Sequence, residues 1–360
     1  MEADMRIMVL PADGIGPEIT AATMDVLNAA DKALGLGLSY DYEDAGFPSL
    51  EKYGTTLRPE VLERAKTYDG IILGPQSHMD YPPVEQGGVN ISAGFRVKLD
   101  LYANVRPART REFLGLGCKP MDLVIMREAT EGFYPDRNMF MGLGEFMPTP
   151  DVAISMRKLT SKGCERIARR AFELAMRRGK RVTAVHKANN FRITDNFFMQ
   201  HVRDVAKDFP EVTLDDRIID AMAAHLVRNP SQFDVVVATN FYSDILSDLA
   251  SELSGGLGLA GSINANESLV CAQAQHGSAP DIEGQNKANP ISMILSAAMM
   301  LTYLGDKHKN AALLKAGAAM DAAVDDVLRN PETRTADLGG TTGTDAFGKL
   351  VAEATAKRAA

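Results

Sequence analysis

The 360-residue sequence has no stretch of ~18 uninterrupted apolar residues, the length a membrane-crossing helix needs, so no membrane span is expected. Cysteine is scarce: Cys118, Cys164 and Cys271 are an odd number without metal-type spacing, which argues against a disulfide framework and a zinc finger. Positive charge is in deficit, with 39 Lys and Arg against 47 Asp and Glu, net −8. An acidic chain is a poor general binder of phosphate backbones, so a nucleic-acid role is not expected. There is no internal repeat and no low-complexity linker. The N-terminus passes almost at once into Met5-Arg6-Ile7-Met8-Val9-Leu10, which leaves no room for a signal or transit peptide and gives the expectation of a cytoplasmic protein. What is present, 45% hydrophobic and 24% charged residues, suits about two globular domains, with an enzyme as the default class.

The chain alternates strand-like and helix-like stretches. Apolar runs at 6–10, 38–42, 70–74, 123–126, 181–185 and 234–238 read as strands. Helical patterns open at Pro17 and Pro59 and recur at 161–178, 194–206, 219–227, 244–253, 290–304, 310–328 and 345–357. This rhythm predicts an α/β fold with a largely parallel sheet flanked by helices. Residues 135–151 break it with Gly142, Gly144 and Pro148-Thr149-Pro150, and read as a projecting arm or hairpin. The glycines at 255–258, and those at 87–88, are plausible crossings between domains.

Several residues have the chemistry of an anion and metal site. Asp244 and Asp248 are four apart, so on a helix they share a face, where a hard divalent cation would relieve their repulsion. The plainer alternative is a capped helix start, with Ser243 as cap and carboxylates favoured by the helix dipole. Asp220, flanked by Ile219 and Ala221, reads as half-buried and in need of a partner. Arg96, Arg106 and Arg127 lie in or beside apolar segments, where guanidinium forks at strand ends suit carboxylate clamping, or else structural ion pairs. Lys187 follows a strand and could act as a base once desolvated; a surface lysine is the alternative. Tyr134 could donate a proton, or could simply pack. The Asp13-Gly14-Ile15-Gly16 turn follows the first strand, but Ile19 stands where a dinucleotide fingerprint needs its last glycine, so a Rossmann site is not supported. Cys271 and His308 read as ordinary packing and surface residues.

Taken in order, the stretches LPADGIGPEI, LDLYANVRPAR, REATEGFY, HKANN, DVVVATNFYSDILSDLASELSGGLGL, HGSAPDI, ANPISMILSAAMML and DLGGTTGTDAF resemble the β-decarboxylating dehydrogenases of isopropylmalate, isocitrate, homoisocitrate and tartrate over nearly the whole chain. The resemblance implies a non-Rossmann, isopropylmalate-dehydrogenase-like fold of two domains. Residues 1–101 and 256–360 would form the cofactor domain; residues 102–255 would form the dimerisation and metal/substrate domain, with an intersubunit clasp at about 135–151. It implies a homodimer with shared active sites, with a higher oligomer open. Carried over by motif, Arg96, Arg106 and Arg127 bind substrate carboxylates. Asp244 and Asp248, with Asp220 from the partner, bind Mg²⁺ or Mn²⁺; Tyr134 and the partner's Lys187 are the catalytic pair. The cofactor would lie against Gly14, Ile15, Gly256, Gly258, His276, Gly277, Ser278, Ala279, Asp281 and Asn289. An Asp at 281 favours NAD, because a carboxylate repels the 2′-phosphate of NADP.

The implied reaction is NAD-dependent oxidative decarboxylation of a 3-substituted (R)-malate, a hydroxy-dicarboxylate or tricarboxylate. The chain departs from the family around the substrate. Gln273 and Ala274 replace a common Glu-Pro, and Ser92, Ala93 and Asn190 stand where isopropylmalate enzymes carry Leu residues before the first arginine and a Val after the Lys-Ala-Asn. Asn90 and Ser92 stand where isocitrate enzymes carry the serine and asparagine that hold a third carboxylate. The expected substrate is therefore 3-isopropylmalate or a more polar relative: isocitrate, homoisocitrate, tartrate or D-malate. The alternatives are a non-catalytic regulatory subunit of a hetero-oligomeric isocitrate dehydrogenase, against which the retained Tyr134, Lys187 and three Asp argue, and metal-assisted decarboxylation without net redox.

Overall fold

A computed structural model describes residues 5–360. The chain forms two compact units, one of residues up to Leu99 together with Leu257–Ala360, the other of Asp100–Gly256. The first unit begins with β1 (Met5–Leu10), α1 (Gly16–Leu34), β2 (Leu38–Tyr42), α2 (Phe47–Tyr53), α3 (Pro59–Ala65), β3 (Gly70–Leu73) and α4 (Ile91–Lys98). The second unit holds β4 (Ala103–Arg109), β5 (Asp122–Glu128), β6 (Glu145–Thr149), β7 (Val152–Ser155), α5 (Ser161–Met176), β8 (Arg181–His186), α6 (Thr194–Ala206), β9 (Thr213–Ile218), α7 (Ile219–Arg228), β10 (Val235–Ala238) and α8 (Asn240–Ser254). The chain then returns to the first unit with β11 (Ile263–Ala265), β12 (Val270–Gln273), α9 (Ile291–His308), α10 (Ala311–Arg329) and α11 (Thr344–Ala359).

The expected α/β architecture is the one observed. In the first unit the strand order is β2-β1-β3-β12-β11, parallel except for β11. In the second it is β4-β5-β10-β8-β9, parallel except for β4. Central strands such as β3 and β10 are buried along their whole length, as strands covered on both faces must be.

Helix α5 shows how the sequence commits to this packing. Cys164, Ile167, Ala168, Ala171, Phe172 and Ala175 recur at helical spacing and are all buried in the core of the second unit. The Thr160 hydroxyl caps the helix by accepting the Gly163 N–H at 3.0 Å, and donates in turn to Glu131 at 2.9 Å. Among the described residues no helix is long and apolar enough to cross a membrane.

The irregular segment that starts near 135 runs past the expected end at 151 into an antiparallel hairpin, β6 paired with β7 as far as Ser155, with a register shift between Phe146 and Thr149. Every residue of both strands is exposed. Phe140, Met141, Leu143 and Met147 beside or within it are exposed too.

Candidate active site

In the second unit most functional candidates lie at or just beyond the carboxyl ends of parallel strands, where α/β sheets place their ligands; Arg106, expected at a strand end, is instead in the middle of the antiparallel strand β4. Arg127 is next to last in β5 and pairs in register with Ala238, the last residue of β10, which pairs in turn with Val185 of β8. Lys187 follows β8, Asp220 is the second residue of α7 after β9, and α8 starts just beyond β10.

One cluster gathers on α8. Arg106 of β4 is opposite Ile125, two residues from Arg127 on β5, so both guanidinium groups leave the same sheet face. Asp244 forms an ion pair with Arg127 and accepts the Tyr134 hydroxyl. Arg106 Nη1 lies 3.4 Å from Asp244 Oδ1, 2.9 Å from Asp248 Oδ1 and 2.8 Å from Ser247 Oγ. Asn240 orients Arg127 by accepting its Nε–H at 2.8 Å, and is itself anchored to the Glu131 carbonyl. Burial, reinforced by the charge of Arg127, pulls the Arg106 guanidinium down to about 10. Burial, then the hydrogen bond to Asp244, pushes the Tyr134 phenol up to about 12. Burial also raises Asp248, against the pull of Arg106. The Nε of Arg106 is buried without a hydrogen-bond partner. A neutral phenol beside two guanidinium groups and two carboxylates can hold an anion and deliver a proton.

The three aspartates do not meet within one chain. Among the described residues no group of three or more His, Cys, Asp or Glu could hold a metal ion. Asp220 is instead paired with Lys187, Oδ1 to Nζ at 2.6 Å, and this hydrogen bond holds its carboxyl below the usual range. The half-burial expected for Asp220 is not found. Ile219, Met222, Ala223 and Leu226 form the stripe that packs on the core, and Asp220 lies off that stripe with 62% of its side chain exposed.

Two further expectations need correction. Arg96 is not at a strand end; it lies on α4, with its Nε–H donated to Asn264 Oδ1 at 2.9 Å. Ser243 is not a cap, because α8 already begins at Asn240; its hydroxyl bonds back to the Ala238 and Thr239 carbonyls at 3.0 and 2.7 Å.

In the first unit two of the positions expected to depart from the family, Ser92 and Gln273, are bonded to one another. Ser92 Oγ lies 2.8 Å from Gln273 Oε1 and 2.7 Å from its Nε2, and Gln273 also reaches Asn264, the residue that holds Arg96. Asn90 caps α4 by accepting the Ala93 N–H at 3.0 Å. Asn190, in the second unit, is exposed on the turn after Lys187.

The cofactor candidates in the first unit fall into two groups. Gly14 has φ +56°, and a Cβ there would lie 2.1 Å from the Ser278 carbonyl oxygen, which also accepts the Ile15 N–H at 2.8 Å. A side chain at position 14 is excluded by both constraints. Asp13, itself buried, ties the loop to Phe47 and Ser77 through their backbone N–H groups at 2.7 and 3.0 Å. The second group is Gly258 beside Asn289, whose Nδ2–H is donated to Asp337 at 2.8 Å. His276 keeps its Nε2 buried without a hydrogen-bond partner, and burial lowers its pKa. Gly277 and Asp281 are exposed, and Ala279 has φ +40° ahead of the Pro280–Ile282 turn. Gly256 is the last residue of the second unit.

The sequence reading missed Asn240, Ser247, Asn264, Asp337 and the pair Arg157–Asp195, all of which hold candidate residues or their backbone. Asn240 and Ser247 share a helix face with Asp244, so helical spacing could have found them; the others are distant in sequence and carry no local signal.

The family model for isocitrate/isopropylmalate dehydrogenase matches residues 6–351. The 3-isopropylmalate dehydrogenase of Archaeoglobus fulgidus is 39% identical, over 96% of this chain and 98% of that one. The isocitrate/homoisocitrate dehydrogenase of Thermus thermophilus is 42% identical, over 97% and 98%. A crystal structure of isocitrate dehydrogenase from Methylococcus capsulatus superimposes with a TM-score of 0.83 at 37% identity, covering 99% of both chains. The match along almost the entire length shows that the chain belongs to the isocitrate/isopropylmalate dehydrogenase family.

Proposed function

We propose that the chain catalyses NAD-dependent oxidative decarboxylation of a 3-substituted (R)-malate. The substrate would be 3-isopropylmalate or a more polar relative (isocitrate, homoisocitrate, tartrate or D-malate). The observation that carries this reading is the convergence of Arg106, Arg127 and Tyr134 on Asp244. Arg106 and Arg127, with Arg96, bind the substrate carboxylates, and the unpartnered Nε of Arg106 is a donor suited to one of them.

Asp244 and Asp248 offer hard oxygen donors, and both aim an oxygen at the same Arg106 nitrogen, which fits a small divalent cation such as Mg²⁺ or Mn²⁺. Asp220 of a second copy would add a third carboxylate. The Gly14–Ser278 contact and the buried Nε2 of His276 fit close backbone approach and a hydrogen bond to NAD. A bound cation would supply Lewis-acid polarisation of the substrate hydroxyl, and NAD would supply the hydride acceptor. Lys187 of a second copy, as the neutral amine, takes the hydroxyl proton. Tyr134, whose phenol stays protonated at neutral pH, protonates the carbon that CO₂ leaves. Asp281 beside the adenosine ribose favours NAD over NADP. The exposed apolar hairpin serves as the clasp of a homodimer with shared sites.

The polar Ser92–Gln273 contact favours a polar or small C3 substituent. An apolar lining there is worth about 1–3 kcal/mol to an isopropyl group. The test is NADH formation and CO₂ release by purified protein with Mg²⁺ or Mn²⁺, NAD or NADP, and a panel of 2-hydroxy acids. Turnover with NAD on at least one acid, one CO₂ per NADH, is expected. Binding without turnover on any acid would replace the reading with a regulatory subunit.

A further inference from the structure

Lys187 is held by more than the pairing of its ammonium group. The carboxylate of Asp195, 1% exposed, accepts the backbone N–H of Lys187 at 2.5 Å and the Tyr242 hydroxyl at 3.2 Å through one oxygen. Its other oxygen forms an ion pair with Arg157, itself 5% exposed. Arg157 also donates to Thr239 Oγ1 at 2.8 Å. Its guanidinium carbon lies 5.0, 5.7 and 5.1 Å from the ring centres of Phe133, Phe191 and Tyr242.

The placement in sequence gives this pair its meaning. Arg157 stands two residues beyond β7, so it is the root of the exposed hairpin. Phe133 is next to Tyr134, and Phe191 sits in the turn that Lys187 opens, donating its N–H to the Lys187 carbonyl at 2.9 Å. One guanidinium therefore touches the hairpin root, the segment of Tyr134 and the carboxylate that fixes the backbone of Lys187. A fully buried ion pair is a weak source of net stability, since apolar residues of similar volume often do as well. Geometric constraint is a use for it that apolar residues could not supply.

We propose that Arg157 and Asp195 are positioning residues, an ion pair that carries the set of the β6–β7 hairpin to the backbone of Lys187. The role in turnover rests on the reading of Lys187 as a proton-transfer residue; the role in holding the backbone does not.

The test uses the full-length protein with Arg157→Lys, Arg157→Met, Asp195→Asn and the milder Tyr242→Phe. Amide hydrogen exchange is read over residues 187–191, and kcat and KM are read with the best acid of the panel. Arg157→Met and Asp195→Asn should speed exchange at the Lys187 amide about tenfold or more while exchange in α5 stays slow. They should also lower kcat by about 10–100-fold with KM within about twofold, the signature of a misplaced group rather than lost binding. Arg157→Lys should recover most of kcat. Where the stronger substitutions fail to fold, Tyr242→Phe should still speed exchange at Lys187, in smaller measure. Unchanged exchange over 187–191 in every folded variant, or Arg157→Lys no better than Arg157→Met, would overturn the proposal. Lys187→Met separates the two readings: full turnover in that variant removes the role of Lys187 in catalysis, while the exchange data still decide the positioning.

Discussion

Asp244 and Asp220 both follow a parallel strand near the start of a helix, yet the fold treats them oppositely. Asp244 is crowded by two buried guanidinium groups and a phenol. Asp220 stands in solvent with one lysine. The first carboxylate is satisfied within its own chain; the second keeps most of its surface available to another molecule. The contrast shows that the kind of site an aspartate can serve is decided by which neighbours the sheet brings to it.

Removing Asp244 should break this comparison most severely. In Asp244→Asn, turnover should fall on the order of 10³-fold, as when a preorganised charged group is lost. The protein should also lose on the order of 2–3 kcal/mol of stability, because Arg106 and Arg127 keep their burial without a full counter-charge. That figure is set below the cost of breaking a fully buried pair because Asp244 is 30% exposed. Unchanged Mg²⁺ dependence of the remaining turnover would remove Asp244 from the metal shell.

Glu128 sharpens the contrast, since it is buried but has hydrogen bonds in place of a close guanidinium. Its carboxylate accepts the N–H groups of Thr130 and Glu131, and Arg166 stays 3.8 Å away. Burial pushes its pKa up to about 7, the hydrogen bonds opposing. A raised carboxyl pKa means that the folded state holds the proton more tightly than the unfolded state. This contribution to stability is full below pH ~4.5 and is lost as pH rises to about 7, some 3 kcal/mol in all. Unfolding free energies from pH 4.5 to 7.5 should therefore fall with pH more steeply in the wild type than in Glu128→Gln. Parallel slopes would show that Glu128 does not titrate in that window.

The smallest effect belongs to the exposed partner. Asp220→Asn should change stability by no more than about 0.5 kcal/mol, the usual range for a surface substitution. It should nonetheless raise the Mg²⁺ concentration needed for half-maximal turnover. A large loss of stability with no change in metal requirement would reverse the assignment of roles.

How much of this was legible in the sequence follows the same division. Helix α5 and the strands β3 and β10 announce themselves by apolar period or apolar run. Strand β9, Thr-Leu-Asp-Asp-Arg-Ile, does not, because it pairs on one edge only and keeps a wet side. Strand β4 hides behind Arg106 and Pro107 in a similar way. The anion-binding candidates were visible as motifs matched in order. The contacts that hold them were not, because Arg157 and Asp195 are 38 positions apart with no pattern linking them. Asp220 was misjudged because its immediate neighbours are apolar while the stripe that packs runs past it.

The order in which the chain leaves the ribosome gives the split first unit an asymmetric birth. Residues 100–256 are contiguous, so all five strands of that unit's sheet are made before its last helix emerges. Strand β3 waits longer for its second neighbour. One of its edges pairs with β1, but the other belongs to β12, made only after the entire second unit has been synthesised. Until then the early half of the first unit carries a bare, wholly apolar strand edge. Truncated or stalled products ending before Val270 should accordingly be the aggregation-prone forms of this protein.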